Sequence, residues 1–328
     1  MKTSLRNLAV SLLVSGTLIF SSCKKDTPPT TTAASASYDT YSSLQSFYAK
    51  NGVPTQSFTV NGTTGGSFTT PQGTKVTIPA NAFMDQSYTS VTGTVNIQFK
   101  DIYTKSDMLL SNVTPICYTG SPLKSGGEFF IKATSGGKGV YLVAAIQIQQ
   151  PFNGWPADNK MNPFTRKDSI SLFLPNWSPN DSAGSVVCDS SLSNYLFSLY
   201  QFSSPVDSGT WCNSDNPTYF SAYPQSNFTI QTTDSVSYNT SVFLLFNGLN
   251  SMVHVYYSNT TSGLSTFNYA YAPVGLQCTV VAVEIMPNGQ FRAAFVPKVT
   301  ITTNGTINFT ATPTTTANFK AQLSTYNH

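Results

Sequence analysis

Apolar and polar positions alternate with a period of two along most of this chain. The clearest case sets Val91, Gly93, Val95, Ile97 and Phe99 against Thr92, Thr94, Asn96, Gln98 and Lys100, the pattern of a strand with one buried and one wet face. Residues 129–133 and 140–149 read as further strands, separated by the turn-forming Ser135-Gly136-Gly137. After residue 227 short apolar segments recur: Phe228 and Ile230; 242–246, apolar on both faces; Val253, Val255 and Tyr257; 279–285; 291–295; Val299 and Ile301; Ile307 and Phe309. Their regular spacing, with turns at Pro287-Asn288-Gly289 and Asn304-Gly305, is that of a β-sandwich. Helical spacing appears only at the flanks, in Tyr41, Leu44, Phe47 and Tyr48 ahead of Asn51-Gly52, and over 317–323. Residues 151–217 are broken by Pro, Asn and Asp clusters, with 169–174 and 195–202 as strand candidates.

The pattern therefore predicts an all-β chain of two β-sandwich-like domains with short flanking helices. A short helix is expected over 38–52, the first β domain over 53–150, an irregular, turn-rich connector contributing to the second domain over 151–226, and a C-terminal β-sandwich-like domain over 227–328.

Residues 1–22 follow a different rule. Lys2 and Arg6 form a basic start, and 8–20 form an apolar run of signal-peptide length, too short for an ordinary spanning helix. The run ends in Phe20-Ser21-Ser22-Cys23, which resembles a lipobox. The resemblance implies cleavage before Cys23 and lipidation of that residue. Each buried methylene of an acyl chain contributes about 0.8 kcal/mol, so two or three chains anchor stably. The partner implied is a membrane, reached through Cys23. Lys24-Lys25-Asp26 resembles the start of Bacteroidetes lipoproteins, which implies the outer membrane, with the body surface-exposed or facing the periplasm. Residues 23–37, rich in Thr, Pro, Ala and Ser, read as a disordered, lipid-anchored tether.

Composition narrows the partners. Without Lys2 and Arg6 the chain keeps 15 basic against 14 acidic residues, a formal charge of about +1, and no basic cluster suggests nucleic acid. Four cysteines remain after Cys23, namely Cys117, Cys188, Cys212 and Cys278, and they permit three pairings. Cys188 with Cys212 closes the shortest loop and is the favoured disulfide. Their spacings match no zinc signature.

Residues 65–83, Gly65-Gly66-Ser67-Phe68-Thr69-Thr70-Pro71-Gln72-Gly73-Thr74-Lys75-Val76-Thr77-Ile78-Pro79-Ala80-Asn81-Ala82-Phe83, resemble the start of a ZU5-type β domain. The strand over 91–101 and the segment Leu123-Lys124-Ser125-Gly126-Gly127-Glu128-Phe129 are similar to uncharacterised Bacteroidetes lipoproteins that carry this module. The resemblance covers about a third of the chain. It implies a noncatalytic scaffold and brings no active-site residues or cofactor with it. Trp211-Cys212-Asn213-Ser214-Asp215 resembles a Trp-x-Asn-Cys-Asp segment of the same group, but here the cysteine precedes the asparagine.

Candidate chemistry is sparse. His254 is the one internal histidine, in a strand over 252–257 on the side of Tyr256 and opposite Val253 and Val255, and it reads as a surface or edge-strand residue. No Gly-x-Ser-x-Gly occurs. Glu128 and Glu284 are the only glutamates, and a glycosidase would need them opposed across a groove. Asp158-Asn159, Asn180-Asp181 and Asp215-Asn216 offer oxygen ligands in loops or, as readily, turn-stabilising hydrogen bonds. Trp155, Trp177 and Trp211 are candidates for stacking a ligand such as a sugar ring; the competing reading buries them where two β domains meet. Asp168-Ser169-Ile170, Asp181-Ser182-Ala183 and Asp234-Ser235-Val236 resemble Bacteroidetes O-glycosylation acceptors. The function these readings imply is a noncatalytic binding, adhesion or structural module with a glycan or envelope-protein partner. The alternative is a glycan-acting hydrolase or glycan-binding accessory protein.

Overall fold

A computed structural model describes residues 38–167, 177–202, 209–233, 239–261 and 264–328. The segments read as a signal peptide (1–22) and a tether (23–37), with Cys23, the strand candidate over 169–174 and the triplets at 168–170 and 234–236, lie outside the described residues. The described chain is all-β, in mainly antiparallel sheets with short helices, as the alternation predicts.

In the first sandwich one sheet runs in the order Gln56–Asn61, Thr94–Ile102, Lys124–Ser135, Thr210–Asn216, Asn162–Lys167, Ser178–Pro179. The facing sheet runs Gly184–Asp189, Asn194–Leu199, Ile146–Pro151, Lys75–Ile78, Gly66–Thr69. Thr94–Ile102 shows why these residues make strands: Val95, Ile97 and Phe99 are fully buried, while Thr94, Asn96 and Gln98 face water. Phe99, Phe129, Ile148 and Phe197 meet in the core between the two sheets. Each such side chain contributes about 1.5–3 kcal/mol by leaving water.

In the second sandwich eight strands form one sheet, ordered Gly305–Asn308, Gln225–Thr232, Leu264–Pro273, Met252–Thr261, Thr240–Phe246, Gln277–Ile285, Phe291–Thr300, Thr312–Pro313. Register shifts at Ser226/Phe228, Tyr257/Asn259 and Cys278/Val280 bend the sheet. It folds over on itself, because Phe228 and Ile230 from one end and Val280 and Ala294 from the other share one buried cluster.

A third core joins the two sandwiches. Ile102, Phe164, Trp177 and Trp211 from the first pack with Phe243, Leu245, Met252 and Val281 from the second. Thr240–Phe246 is buried at every position because Val242 and Leu244 face the second sandwich's own core while Phe243 and Leu245 face this shared one. Three α-helices seal it. Leu44–Asn51 starts with a Ser43/Ser46 capping box and stacks Phe47 on Phe291 at 5.1 Å; Lys105–Leu110 buries Met108 and Leu109; Thr316–Ser324 buries Phe319 and Leu323.

The shared core corrects the expected domain plan. Residues 151–226 do not chiefly feed the second domain: Asn162–Lys167, Ser178–Pro179, Gly184–Asp189, Asn194–Leu199 and Thr210–Asn216 all complete the first sandwich. The reason is Thr210–Asn216, which is central in its sheet and buried at all seven positions although its sequence, TWCNSDN, is mostly polar. A second unexpected element is Lys105–Leu110, whose six residues are too few to show a helical period.

Candidate functional site

The polar face of Thr210–Asn216 builds the most heavily charged interior of the molecule. Asn213 lies opposite Glu128 on one side and Phe164 on the other, while Trp211 lies opposite Phe130 and Arg166. Residues two apart share a face of a strand, so Glu128, Asn213, Trp211 and Arg166 point together into the shared core. The preceding Gly127 has φ of 128° and lets the Tyr103 ring approach to where a Cβ would fall 2.4 Å from it.

Arg166 is clamped between two indoles, its guanidinium carbon 4.7 Å from the Trp211 ring centre and 5.1 Å from that of Trp177. The Trp177 indole N–H donates to the Thr114 carbonyl at 3.0 Å, and Lys100 lies 5.9 Å over Trp211. Asn213 donates to Glu128 Oε1 at 3.4 Å and accepts from Ser125 Oγ at 3.0 Å. Glu128 and Asp215 are both fully buried. Burial, then the nearby Asp215, drives the Glu128 carboxyl well above its ordinary pKa, with Arg166 opposing; burial likewise drives Asp215 up, against a hydrogen bond from Ser125. Two acids whose ionisation burial opposes thus stand beside one buried cation in the core. Glu128, Asn213, Asp215, Arg166, Trp177 and Trp211 are all buried.

No family model matches this chain, and neither a curated protein nor a solved structure does. What the site can do must be read from its own geometry.

That geometry corrects the ligand-stacking reading of the tryptophans. Trp177 and Trp211 are buried core rings, and Trp155 is half-buried, 5.6 Å from the His328 ring and 5.8 Å from the Lys105 ammonium. They are not one exposed platform, because Trp177 and Trp211 pack inside the shared core while Trp155 lies apart from it. The glutamates are not a catalytic pair either. Glu284 sits in the second sandwich between Thr240 and Arg292, with an ion pair to Arg292 at 3.0 Å, and is fully buried there.

His254 is not a surface histidine. It lies opposite Phe243, its ring stacked on that phenyl at 4.7 Å and tilted against Tyr256 at 5.1 Å. Burial pulls its pKa down to about 4, so the ring is neutral at pH 7.

The favoured Cys188–Cys212 disulfide is also absent. Cys212 is buried between the sheets of the first sandwich, where burial raises its thiol pKa well above normal; Cys188 sits half-buried on the far edge strand of the opposite sheet, next to Ser190. Cys117 and Cys278 are free as well. Among the loop oxygens, those of Asp158 and Asn180 are committed. Asp158 accepts from Lys124 at 2.8 Å and Asn216 at 3.0 Å; burial raises its pKa, but these bonds outweigh burial and leave it lowered. Asn180 Oδ1 accepts from Ser182 and Ala183 as an Asx turn, and no metal-holding group of three or more such side chains occurs among the described residues.

One buried acid was invisible to sequence reasoning. Asp101 accepts from Thr70 and Thr74, each at 2.6 Å, and from Gln56 at 3.1 Å, tying the turn between Gly66–Thr69 and Lys75–Ile78 to the neighbouring sheet. It ends an alternating strand, where an exposed acid is the usual reading, and nothing local signals its partners about 30 residues away.

Proposed function

We propose that this chain is a noncatalytic, lipid-anchored module of a bacterial envelope, held to the outer membrane through Cys23, that binds partners rather than transforming them. The supporting observation is the buried cluster around Arg166: Glu128 and Asp215 are fully buried, and two of the three tryptophans pack in the core where the two sandwiches meet. The lipobox-like Phe20-Ser21-Ser22-Cys23 and the ZU5-like segment over 65–83 agree with an anchored scaffold.

Two measurements on the full chain test this. Palmitate labelling of the expressed protein should vanish in Cys23→Ala, and persistence of label removes the anchor. Envelope polysaccharides and proteins incubated with the chain in detergent micelles should be recovered with unchanged mass. Cleavage that is lost in Glu128→Gln would refute the noncatalytic reading.

A further inference from the structure

The largest aromatic exposure on the described surface is held there against the preference of its own backbone. Tyr88 is 69% exposed and sits at φ of 59°, in the left-handed region that a bulky residue avoids at a cost of roughly 1–2 kcal/mol. It ends a tight hairpin in which Asp85 N–H donates to Thr89 O at 2.8 Å and Tyr88 N–H to Asp85 O at 3.0 Å. Glycine normally fills the left-handed position of such short hairpin loops. The turn is locked by Asp85 Oδ1, which accepts from the backbone N–H groups of Ser87 and Thr89 at 2.8 and 2.9 Å. The Tyr88 ring lies flat on Tyr141, with centres 5.1 Å apart and planes 11° apart, so one face is covered and the other is open to solvent.

The surroundings identify what that open face fits. Tyr141 lies opposite Met84 in the short pairing of Phe83–Met84 with Tyr141–Leu142, and Val143 next along is 49% exposed. The hairpin side chains Gln86, Ser87, Thr89 and Ser90 are exposed, uncharged hydrogen-bonding groups. A flat apolar ring rimmed by neutral donors and acceptors matches a pyranose, which has an apolar C–H face and a hydroxyl edge. A lipid surface would call for basic residues and a larger apolar area, and an anionic ligand for a cation that this hairpin does not carry.

We propose that the Tyr88–Tyr141 stack is a carbohydrate-binding platform for a neutral sugar residue, with Tyr88 as the stacking face. This rests on the binding-module reading above and assigns its ligand class.

The test uses the full chain in detergent micelles on an array of neutral hexose and N-acetylhexosamine oligosaccharides, followed by titration of any oligosaccharide retained. Saturable binding is expected, weakened about tenfold or more in Tyr88→Gly and nearly unchanged in Tyr88→Phe, which keeps the ring. Tyr88→Asn, which tolerates the same backbone, repeats the loss should the glycine loosen the turn. Tyr118→Ala, removing a different exposed tyrosine, should bind as the parent does. Binding of no sugar, or equal binding by Tyr88→Gly and Tyr88→Asn, overturns the platform and leaves the noncatalytic reading standing. A sugar bound through Tyr88 but recovered cleaved keeps the platform and overturns that reading instead.

Discussion

Replacing His254 by phenylalanine should flatten the acid limb of the stability curve. The imidazole is buried against Phe243 and Tyr256 with its pKa pulled to about 4, against 6.5 for a free side chain. Between those values the unfolded chain binds a proton that the folded chain refuses, so folding is progressively penalised as pH falls from 6.5 to 4. The penalty works out at about 2 kcal/mol at pH 5 and about 3 kcal/mol at pH 4, and it is absent above pH 7.5. Glu128 and Asp215 act with the opposite sign, because carboxyls with raised folded pKa favour the folded state as pH falls; both are present in parent and variant and cancel in the difference. Phenylalanine keeps the stack on Phe243 and cannot titrate. Urea unfolding followed by tryptophan fluorescence at pH 7.5 and pH 5 should therefore show the variant gaining about 2 kcal/mol relative to the parent over that interval. Parallel loss in both proteins, to within about 0.5 kcal/mol, would mean that the ring ionises in place and that the burial argument is wrong.

Removing the clamped cation with Arg166→Met should cost about 3 kcal/mol in the same unfolding assay, while Arg166→Met/Glu128→Gln should cost less than the sum of the single changes; strict additivity would show the two are not coupled. Gly127→Ala should lower the melting temperature sharply, because the new methyl meets the Tyr103 ring and the residue keeps φ of 128°; a shift within error would refute that close approach. Of the four cysteines in the body, Cys188 should react first with a maleimide in the native protein, and Cys212 and Cys278 only after unfolding; mass spectrometry that finds Cys188 joined to Cys212 would contradict the free-thiol arrangement.

The sequence was informative where burial is one-sided. Val95, Ile97 and Phe99 alternate with polar residues because one face meets the core and the other meets water, so their strand is legible without any structure. The end of the first helix was legible at its cap Gly52, though the helix starts at Leu44 and not at 38, and the last spans Thr316–Ser324 around the apolar positions of 317–323. Legibility failed where the interior is polar. Asn213 and Asp215 look like turn residues, yet they stand in a central strand, where the side-chain partners of Asn213 are Ser125 and Glu128, both distant in sequence. For Trp177 and Trp211 the sequence left both a buried and an exposed reading open, with burial the favoured one. Only Arg166, which packs between both rings, decides it, and a lone arginine before a break gives no such signal. The Tyr88 platform was missed because a tyrosine in the place of a turn glycine hides the hairpin signature.

The order of strands in the first sandwich also sets a timetable. Thr210–Asn216 fits between Lys124–Ser135 and Asn162–Lys167, two strands made well before it, so a chain growing from its N-terminus carries an unfilled slot until residue 216 has emerged. The shared core waits longer still, for Val281, Phe291 and Phe319. Pairings this distant are slow to form and leave strand edges open to the wrong neighbour meanwhile. Early collapse of the first 200 residues, with that slot still empty, would thus be a misfolding route for this protein.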